Sequence, residues 1–343
     1  MHDPDRAAHA VHAHAVEARD LVKTYPGNVR ALDGMSLTVR RGEVFGLLGP
    51  NGAGKSTTVK ILTTLARPDS GAATVAGHDV RQRPDRVRRV IGVVPQQSSA
   101  DPVPSGRDNL LLQGRLYGLR GTELTTRVAE LLDRFDLTAA AGRPVRTYSG
   151  GMRRRLEVAL GLVHRPEVLF LDEPTAGLDP EARAAMWEEI ARLAAESMAI
   201  LLTTHHLDEA DRLADRLAIV DRGRIVAEGT PDQLKGELRG DAVHLELDRR
   251  ADEGVVRPAV AALAGMREVS IEGRRLSVRA DDGAAAVPAA LAALDRAGVG
   301  VSTVTVARPS LDDVYLRYAG RRFAEADADP AGAGAPATVG GAA

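Results

Sequence analysis

The 343-residue chain contains no cysteine, which excludes disulfides and thiolate metal sites. It has no surplus of either charge: 45 Lys and Arg stand against 47 Asp and Glu, a formal net charge of −2, with the two signs interleaved. A general binder of nucleic acid or another polyanion would carry a basic excess, so that class is disfavoured. Long hydrophobic runs are also missing. Ahead of the Ala/Gly-rich C-terminal tail, the longest uncharged, apolar-leaning stretch, Gly283–Leu294, is twelve residues, short of the roughly 20 that cross a bilayer as a helix. No positive cluster followed by an apolar core opens the chain, so no secretory signal is expected, and any work at a membrane would run through a partner. Lysine is scarce: Lys23, Lys55, Lys60 and Lys235 are the only ones, and every other basic residue is arginine. Base composition of the genome accounts for that bias and for the abundant Ala and Gly. It also draws attention to Lys55, because a compact ammonium does what a guanidinium does not.

What is present describes a globular protein. An apolar content of 44% and this length support two or three domains with proper cores. Residues 1–15 are rich in Ala, His and Asp without apolar periodicity. Their histidines (His2, His9, His12, His14) have no acidic or Cys partner at fixed spacing, so a solvated, disordered tail is expected. From Val16 to Val44 short alternating segments with turns at Pro26-Gly27 and Arg41-Gly42 predict strands. The buried run Val44-Phe45-Gly46-Leu47-Leu48 leads into a Gly-rich loop and then a helix from Lys55 to about Ala66. Residues 100–165 carry helical periodicity and few strand signals, a helical subdomain. Strands return at Val168–Leu171, Ala199–Thr203 and Leu217–Val220, alternating with helices over 180–196 and 207–214. That alternation predicts a mostly parallel sheet covered by helices. A second unit over 240–320 reads β-α-β-β-α-β and then a helix at Leu311–Tyr318, a small split-βαβ α+β domain. The tail over 321–343 is rich in Ala, Gly, Asp and Pro and is expected to be disordered.

Two constellations carry chemistry. Gly49-Pro50-Asn51-Gly52-Ala53-Gly54-Lys55-Ser56 is a phosphate loop between a buried strand and a helix. Its glycines let backbone N–H groups approach phosphates, and the helix N-terminus adds partial positive charge. Lys55 is placed to reach the β- and γ-phosphates, and the Ser56 hydroxyl to ligate Mg²⁺. The second is Asp172-Glu173 at the end of the apolar run Val168–Leu171. A carboxylate there emerges at the C-terminal edge of the sheet, where α/β ligands bind. Asp172 is expected to hold Mg²⁺ through water and Glu173 to polarise the attacking water.

About twenty residues before that strand lies Tyr148-Ser149-Gly150-Gly151-Met152, a second phosphate-binding turn that one chain does not need. With it, residues 16–235 resemble the ATP-binding-cassette (ABC) ATPases, a P-loop NTPase fold with a RecA-like α/β core and a helical subdomain. The resemblance implies the following roles. Tyr25 stacks on adenine, and Gly49, Pro50, Asn51, Gly52, Ala53, Gly54, Lys55, Ser56, Thr57 and Gln96 bind ATP. Gln96, after Val93-Val94-Pro95, senses Mg²⁺ and contacts a membrane subunit, and Mg²⁺ is held by Ser56, Gln96 and Asp172. Ser149, Gly150 and Gly151 grip the γ-phosphate of ATP held by the opposite subunit. Gly177-Leu178-Asp179 is the loop that connects the two sites, with Asp179 its acid. His205, after Leu202-Thr203-Thr204, contacts the γ-phosphate and shares the catalytic role with Glu173. The chain departs from the family pattern at Tyr148 (commonly Leu), at Met152 (commonly Gln) and at Ala176-Gly177 (commonly Ser-Ala). The Ser and both glycines of the signature remain.

The 240–320 unit, ending Arg308-Pro309-Ser310-Leu311-Asp312-Asp313-Val314-Tyr315, resembles the C-terminal extension of the daunorubicin-resistance type of ABC exporter ATPase. Taken together, the resemblances imply an ATPase that works as a homodimer with ATP and Mg²⁺. It would sit on the cytoplasmic face of the membrane, held by a separate integral permease, and power efflux of a hydrophobic drug or antibiotic-like compound. Export of lipid or polysaccharide, or import, remains open within transport. A nucleic-acid or ribosome role is disfavoured by the absence of long coiled coils between Lys55 and Asp172, of zinc cysteines and of a second cassette.

Overall fold

The structure, a computed structural model, describes residues 14–238, 240–250, 252–320 and 323. The expected tails lie outside the described residues except at three positions, one of them Phe323, which was assigned to the disordered second tail from sequence and is instead buried. His14 and Ala15, assigned to the first tail from sequence, are instead the opening residues of a strand: Ala15 is buried and pairs its carbonyl with the Ala76 N–H.

In chain order the strands of the first unit are β1 (His14–Tyr25), β2 (Val29–Arg40), β3 (Val44–Leu48), β4 (Ser70–Val75), β5 (His78–Asp79), β6 (Ile91–Val94), β7 (Val168–Asp172), β8 (Ala199–Thr204), β9 (Arg216–Asp221) and β10 (Arg224–Gly229). Its helices are α1 (Lys55–Leu62), α2 (Pro84–Val90), α3 (Gly106–Leu116), α4 (Gly121–Arg134), α5 (Gly150–Leu162), α6 (Pro180–Ala195) and α7 (Leu207–Leu213). A further short helix, α8 (Pro231–Gly236), follows. Two compact units result, one running to Pro231 and the other covering Asp232–Gly320.

Two sheets form the first unit. One has six strands in the order β10-β9-β3-β8-β7-β6, parallel except for β10. Its central strands β3 and β8 are buried along their whole length, so they read as unbroken apolar runs and not as alternation. The other is antiparallel, β2-β1-β4-β5. Its first two strands are each twelve residues long, longer than the short segments expected, because register shifts let one twisted hairpin continue through the turn signals. Strands β4 and β10 gave no usable signal: β4 is half glycine and alanine with an exposed start, and β10 is an edge strand of mixed burial.

The predicted helical subdomain is α3, α4 and α5, joined by two 3-10 turns at Thr138–Ala140 and Val145–Thr147. Its core (Leu110, Leu124, Val128, Leu131, Leu132, Leu156) merges with that beneath β6, β7 and β8. Helix α3 starts on a capping box between Ser105 and Asp108. Helix α1 stops at Leu62, four residues before the expected Ala66, where Thr64 turns to a φ of 66°.

The second unit is β11 (Asp241–Leu247), α9 (Glu253–Ala261), β12 (Met266–Glu272), β13 (Arg275–Ala280), α10 (Gly283–Arg296), β14 (Val301–Ala307) and α11 (Leu311–Ala319). The expected β-α-β-β-α-β order is present. The sheet is antiparallel, ordered β12-β13-β11-β14. Helices α9 and α10 cover one face through Val256, Val260, Ala290 and Leu294, against Val243, Leu245, Leu276 and Val278.

Candidate nucleotide site

The site lies at the C-terminal ends of β3, β7 and β8, where parallel strands bring loops together. Two glycines shape the loop after β3. A Cβ on Gly49 would overlap the carbonyl oxygen of Val220, and one on Gly54 would lie 2.6 Å from the Ala31 carbonyl oxygen. Gly54 also has a φ of 112°, open to glycine alone, and it is the N-cap residue of α1. Gly54→Ala is therefore expected to lose nucleotide binding while β3 and its neighbours stay folded. Retention of wild-type affinity in a fluorescent-nucleotide titration would contradict it.

Lys55, buried at the first position of α1, donates from Nζ to the carbonyls of Gly49 (2.6 Å) and Pro50 (3.0 Å). Those bonds curl the loop around the ammonium. Ser56 Oγ points at Asp172 Oδ1, 3.4 Å away. The same Asp172 oxygen accepts a short hydrogen bond from Thr203 Oγ1 on β8. Thr203 Oγ1 also accepts from the Glu173 N–H at 3.2 Å, so one buried hydroxyl sets the height of both acids.

Glu173 is the most constrained residue of the site. Its φ of 50° is left-handed, a conformation that costs a non-glycine residue about 1–2 kcal/mol. Its carboxylate is 7% exposed. Gln96 Nε2 donates to Oε2 at 2.8 Å, and His205 Nδ1–H donates to Oε1 at 2.9 Å. The acid just after β7, the glutamine after β6 and the histidine after β8, far apart in sequence, thus form one hydrogen-bonded row. His206 packs its ring against His205, with centroids 4.1 Å apart. Burial, and then the neighbouring His205, lower the pKa of His206, so it stays neutral at physiological pH.

A cavity of about 720 Å³ opens in front of this row. It is lined by Tyr25, by the loop after β1 (Gly27, Asn28), by Asn51 through Thr57, and by Gln96 and Glu173. Lys23 Nζ sits 5.6 Å from the centre of the Tyr25 ring. Gly49 and Pro50 bound the loop from behind through their bonds to Lys55.

Ser149, Gly150 and Gly151 are not part of that lining. They sit at the start of α5, where Ser149 and Gly150 are exposed and the Ser149 hydroxyl caps the helix by accepting from the Met152 N–H at 3.2 Å. Tyr148, the departure from Leu, is buried and donates its hydroxyl to the Ala140 carbonyl at 2.8 Å, tying the turn to the subdomain core. Asp179 caps α6 by accepting from the Ala182 N–H at 2.8 Å.

Two residues escaped the sequence reading. Thr203 appeared there only as a landmark before His205, yet it holds both acids. Arg154, one of three consecutive arginines in α5, is buried. Its guanidinium donates to the carbonyls of Pro95 (2.7 Å), Asp172 (3.0 Å), Glu173 (3.1 Å) and Pro174 (2.8 Å), and to the Glu157 carboxylate at 2.7 Å. A usable signal was present: Arg154 and Glu157 are an i,i+3 pair beside Leu156 and Val158–Leu160, a helix face with no other reason to carry charge.

Comparison with known proteins agrees with this geometry. A family model described as ABC transporter matches residues 32–176, and one described as the ATP-binding protein DrrA1-3-like C-terminal domain matches 229–319. The daunorubicin resistance ATP-binding protein DrrA2 of Streptomyces coeruleorubidus is 46% identical over 93% of this chain and 99% of its own. Among solved structures, an ATP-binding subunit of an ABC transporter is 32% identical, with a TM-score of 0.59 over 65% of this chain and 92% of that one. The dimeric structure of the bacterial ABC transporter cassette MJ0796 is 25% identical, with a TM-score of 0.58 over 63% of this chain and 98% of that one.

Proposed function

Since the chain belongs to the ABC-transporter ATPases and carries the C-terminal domain of their daunorubicin-resistance type, we propose that it is the motor subunit of an exporter, moving a hydrophobic drug or antibiotic-like compound through a separate membrane permease. The observation that carries the mechanism is the position of Ser149: an exposed phosphate-binding turn on the same chain as a nucleotide cavity, yet outside its lining. A turn placed there serves the cavity of a second copy. Two chains then hold two ATP molecules, each between one Lys55 loop and the other chain's Ser149-Gly150-Gly151. That the similar cassette MJ0796 is described as dimeric supports a pairing of two chains.

In each site the Lys55 ammonium and the loop N–H groups bind the phosphates, and Tyr25 packs on the base. A Mg²⁺ held here would neutralise phosphate charge. Ser56 and Asp172 supply the hard oxygen donors that such an ion prefers, with Gln96 beside them. Glu173 accepts a proton from water as the water oxygen bonds to the γ-phosphorus and the bond to the bridging oxygen of ADP breaks. Gln96 and His205 hold the carboxylate in line. His205 also reports the γ-phosphate, so release of phosphate frees the closed pair.

The permease contact lies beside Gln96. A groove of about 440 Å³ runs between β6 and α3, lined by Leu65, Val93, Pro95, Leu112, Tyr117 and His164 among others. Around it Leu65 (73% exposed), Leu112 (55%) and Leu116 (73%) present apolar surface that water does not favour. In this reading that surface attaches the subunit to the cytoplasmic face through its permease; no helix among the described residues is long and apolar enough to cross a membrane.

Mixing chains tests the shared sites. Ser149→Arg and Lys55→Ala chains, each inactive alone, are expected to recover ATPase activity when combined, because a mixed dimer contains one intact site. At equal proportions about half of the dimers are mixed, on random pairing by mass action. A mixture no more active than its components overturns the shared-site reading. The cargo is tested separately: with its permease the chain is expected to lower anthracycline accumulation in sensitive cells, and unchanged accumulation overturns that assignment.

A further inference from the structure

We infer that the second unit carries a binding site for a small amphipathic carboxylate, whose charged end pairs with Arg279 beneath α11. Strand alternation on β13 sends Leu276 and Val278 into the core against α9 and α10, and turns Ser277 and Arg279 to the opposite face. On that face a cavity of about 370 Å³ lies between β11, β12, β13 and α11. Arg279 stands in its wall with a side chain 8% exposed. Its guanidinium reaches the Gly240 carbonyl at 3.4 Å, Asp313 at 3.4 Å and Glu268 at 3.5 Å, and makes no shorter contact with the described residues. Charge-assisted bonds are about 2.7–2.9 Å long. The buried guanidinium of the first unit, Arg154, makes bonds of 2.7–3.1 Å. A buried donor set held at longer distances is one that a further group completes.

The surroundings select the chemistry of that group. The two acids beside Arg279 are not equivalent. Asp313 is committed: its Oδ2 accepts from the Ser310 N–H at 2.9 Å and from the Ser310 hydroxyl at 2.8 Å, closing the capping box of α11. Glu268 is not. It lies on edge strand β12 where the pairing to β13 shifts register, and its side chain is 52% exposed, 3.5 Å from Arg279 and 3.9 Å from Arg317. A ligand carboxylate that displaces Glu268 keeps two guanidinium groups against two carboxylates, so the charge stays balanced, and it forms the short bonds that Glu268 does not. Away from the charged end the wall includes Ala242 and Leu316, whose side chains offer only carbon. Water, at about 30 Å³ per molecule, or a bare anion would satisfy the donors and leave that apolar wall wet. An acid with a short hydrocarbon body covers both. The site lies within the second unit and owes nothing to the nucleotide cavity.

Octanoate, titrated calorimetrically into the full-length protein, is the probe. One molecule is expected to bind per chain, and saturating ADP leaves its affinity unchanged. Glu268→Gln removes the internal competitor and tightens octanoate roughly tenfold, the scale of one hydrogen bond to a charged group. Arg317→Gln weakens it severalfold, and Arg279→Gln abolishes it. Glu268 and Arg317 have exposed side chains, so those two variants carry the test even if Arg279→Gln fails to fold. 1-Octanol, the same body without the charge, binds wild type and both variants alike. The inference is overturned if octanoate binds neither wild type nor Glu268→Gln, or if its affinity ignores both variants, since that is adsorption to apolar surface elsewhere. Inorganic phosphate responding to the variants in place of octanoate also overturns it, because the cavity would then be a bare-anion site.

Discussion

Glu173→Gln is expected to reduce ATP turnover roughly 10²–10⁴-fold, the usual contribution of a positioned base, while leaving ATP affinity within a few-fold of wild type. That loss corresponds to about 2.7–5.4 kcal/mol of transition-state stabilisation. The separation of the two effects follows from the geometry. In the proposed site affinity comes from the loop around Lys55, whose Nζ donates to the Gly49 and Pro50 carbonyls, and from Tyr25. The carboxylate is bonded instead to Gln96 and His205, and an amide of the same shape can still accept from one of them. Gln keeps the side-chain volume and the left-handed backbone of residue 173, so no new strain arises. With hydrolysis blocked and binding intact, ATP holds the pair closed, and the variant is expected to elute at twice the protomer mass in ATP and at the protomer mass without it. Single-turnover hydrolysis at the wild-type rate would remove Glu173 from the role of base.

Most of this site was legible because its parts are local in sequence. The P-loop, the acid-ended strand and the Ser149 turn are each a handful of consecutive residues whose conformation is set by neighbours: Gly49 and Gly54 by close backbone approach, Ser149 by the cap it makes for α5. Strands β3, β7 and β8 announced themselves as apolar runs because both faces are buried. What stayed hidden was long-range. Nothing near Thr203 says that its hydroxyl bridges to acids 30 residues away, and β4 is too rich in glycine and alanine to signal its pairing with β1. The boundary at His14 was missed for a related reason: an Ala/His segment is a strand only because β2 and β4 flank it. Arg154 is the extreme case: its i,i+3 partner Glu157 lies in the same stretch of sequence, but the four carbonyls it also reaches do not.

Arg154→Ala is expected to cost about 3–5 kcal/mol of stability, the penalty for stripping the partner from a buried charge. Glu157, with a side chain 4% exposed, would lose its counter-ion, and the carbonyls of Pro95, Asp172, Glu173 and Pro174 would lose a donor together. For a unit of this size that corresponds to a drop in melting temperature of roughly 6–20 °C. The conservative variant separates stability from function. Arg154→Lys keeps the charge beside Glu157, but a single ammonium cannot span carbonyls that a planar guanidinium reaches as a fork. It is expected to recover much of the melting temperature while kcat stays roughly 10–10²-fold low, the range that small misplacements of catalytic groups produce. KM for ATP should move little, since no Arg154 bond touches the P-loop. The reason for a kcat effect is positional: Arg154 anchors Pro95 directly before Gln96, and it anchors the carbonyls of Asp172 and Glu173. The same helix presents Ser149 five residues earlier. One guanidinium therefore ties the turn proposed to grip the partner's nucleotide to the acid proposed to act on the chain's own, and Arg154→Lys is expected to weaken the dependence of each site on the other. A variant with wild-type kcat and a lowered melting temperature would show that Arg154 only holds the fold together.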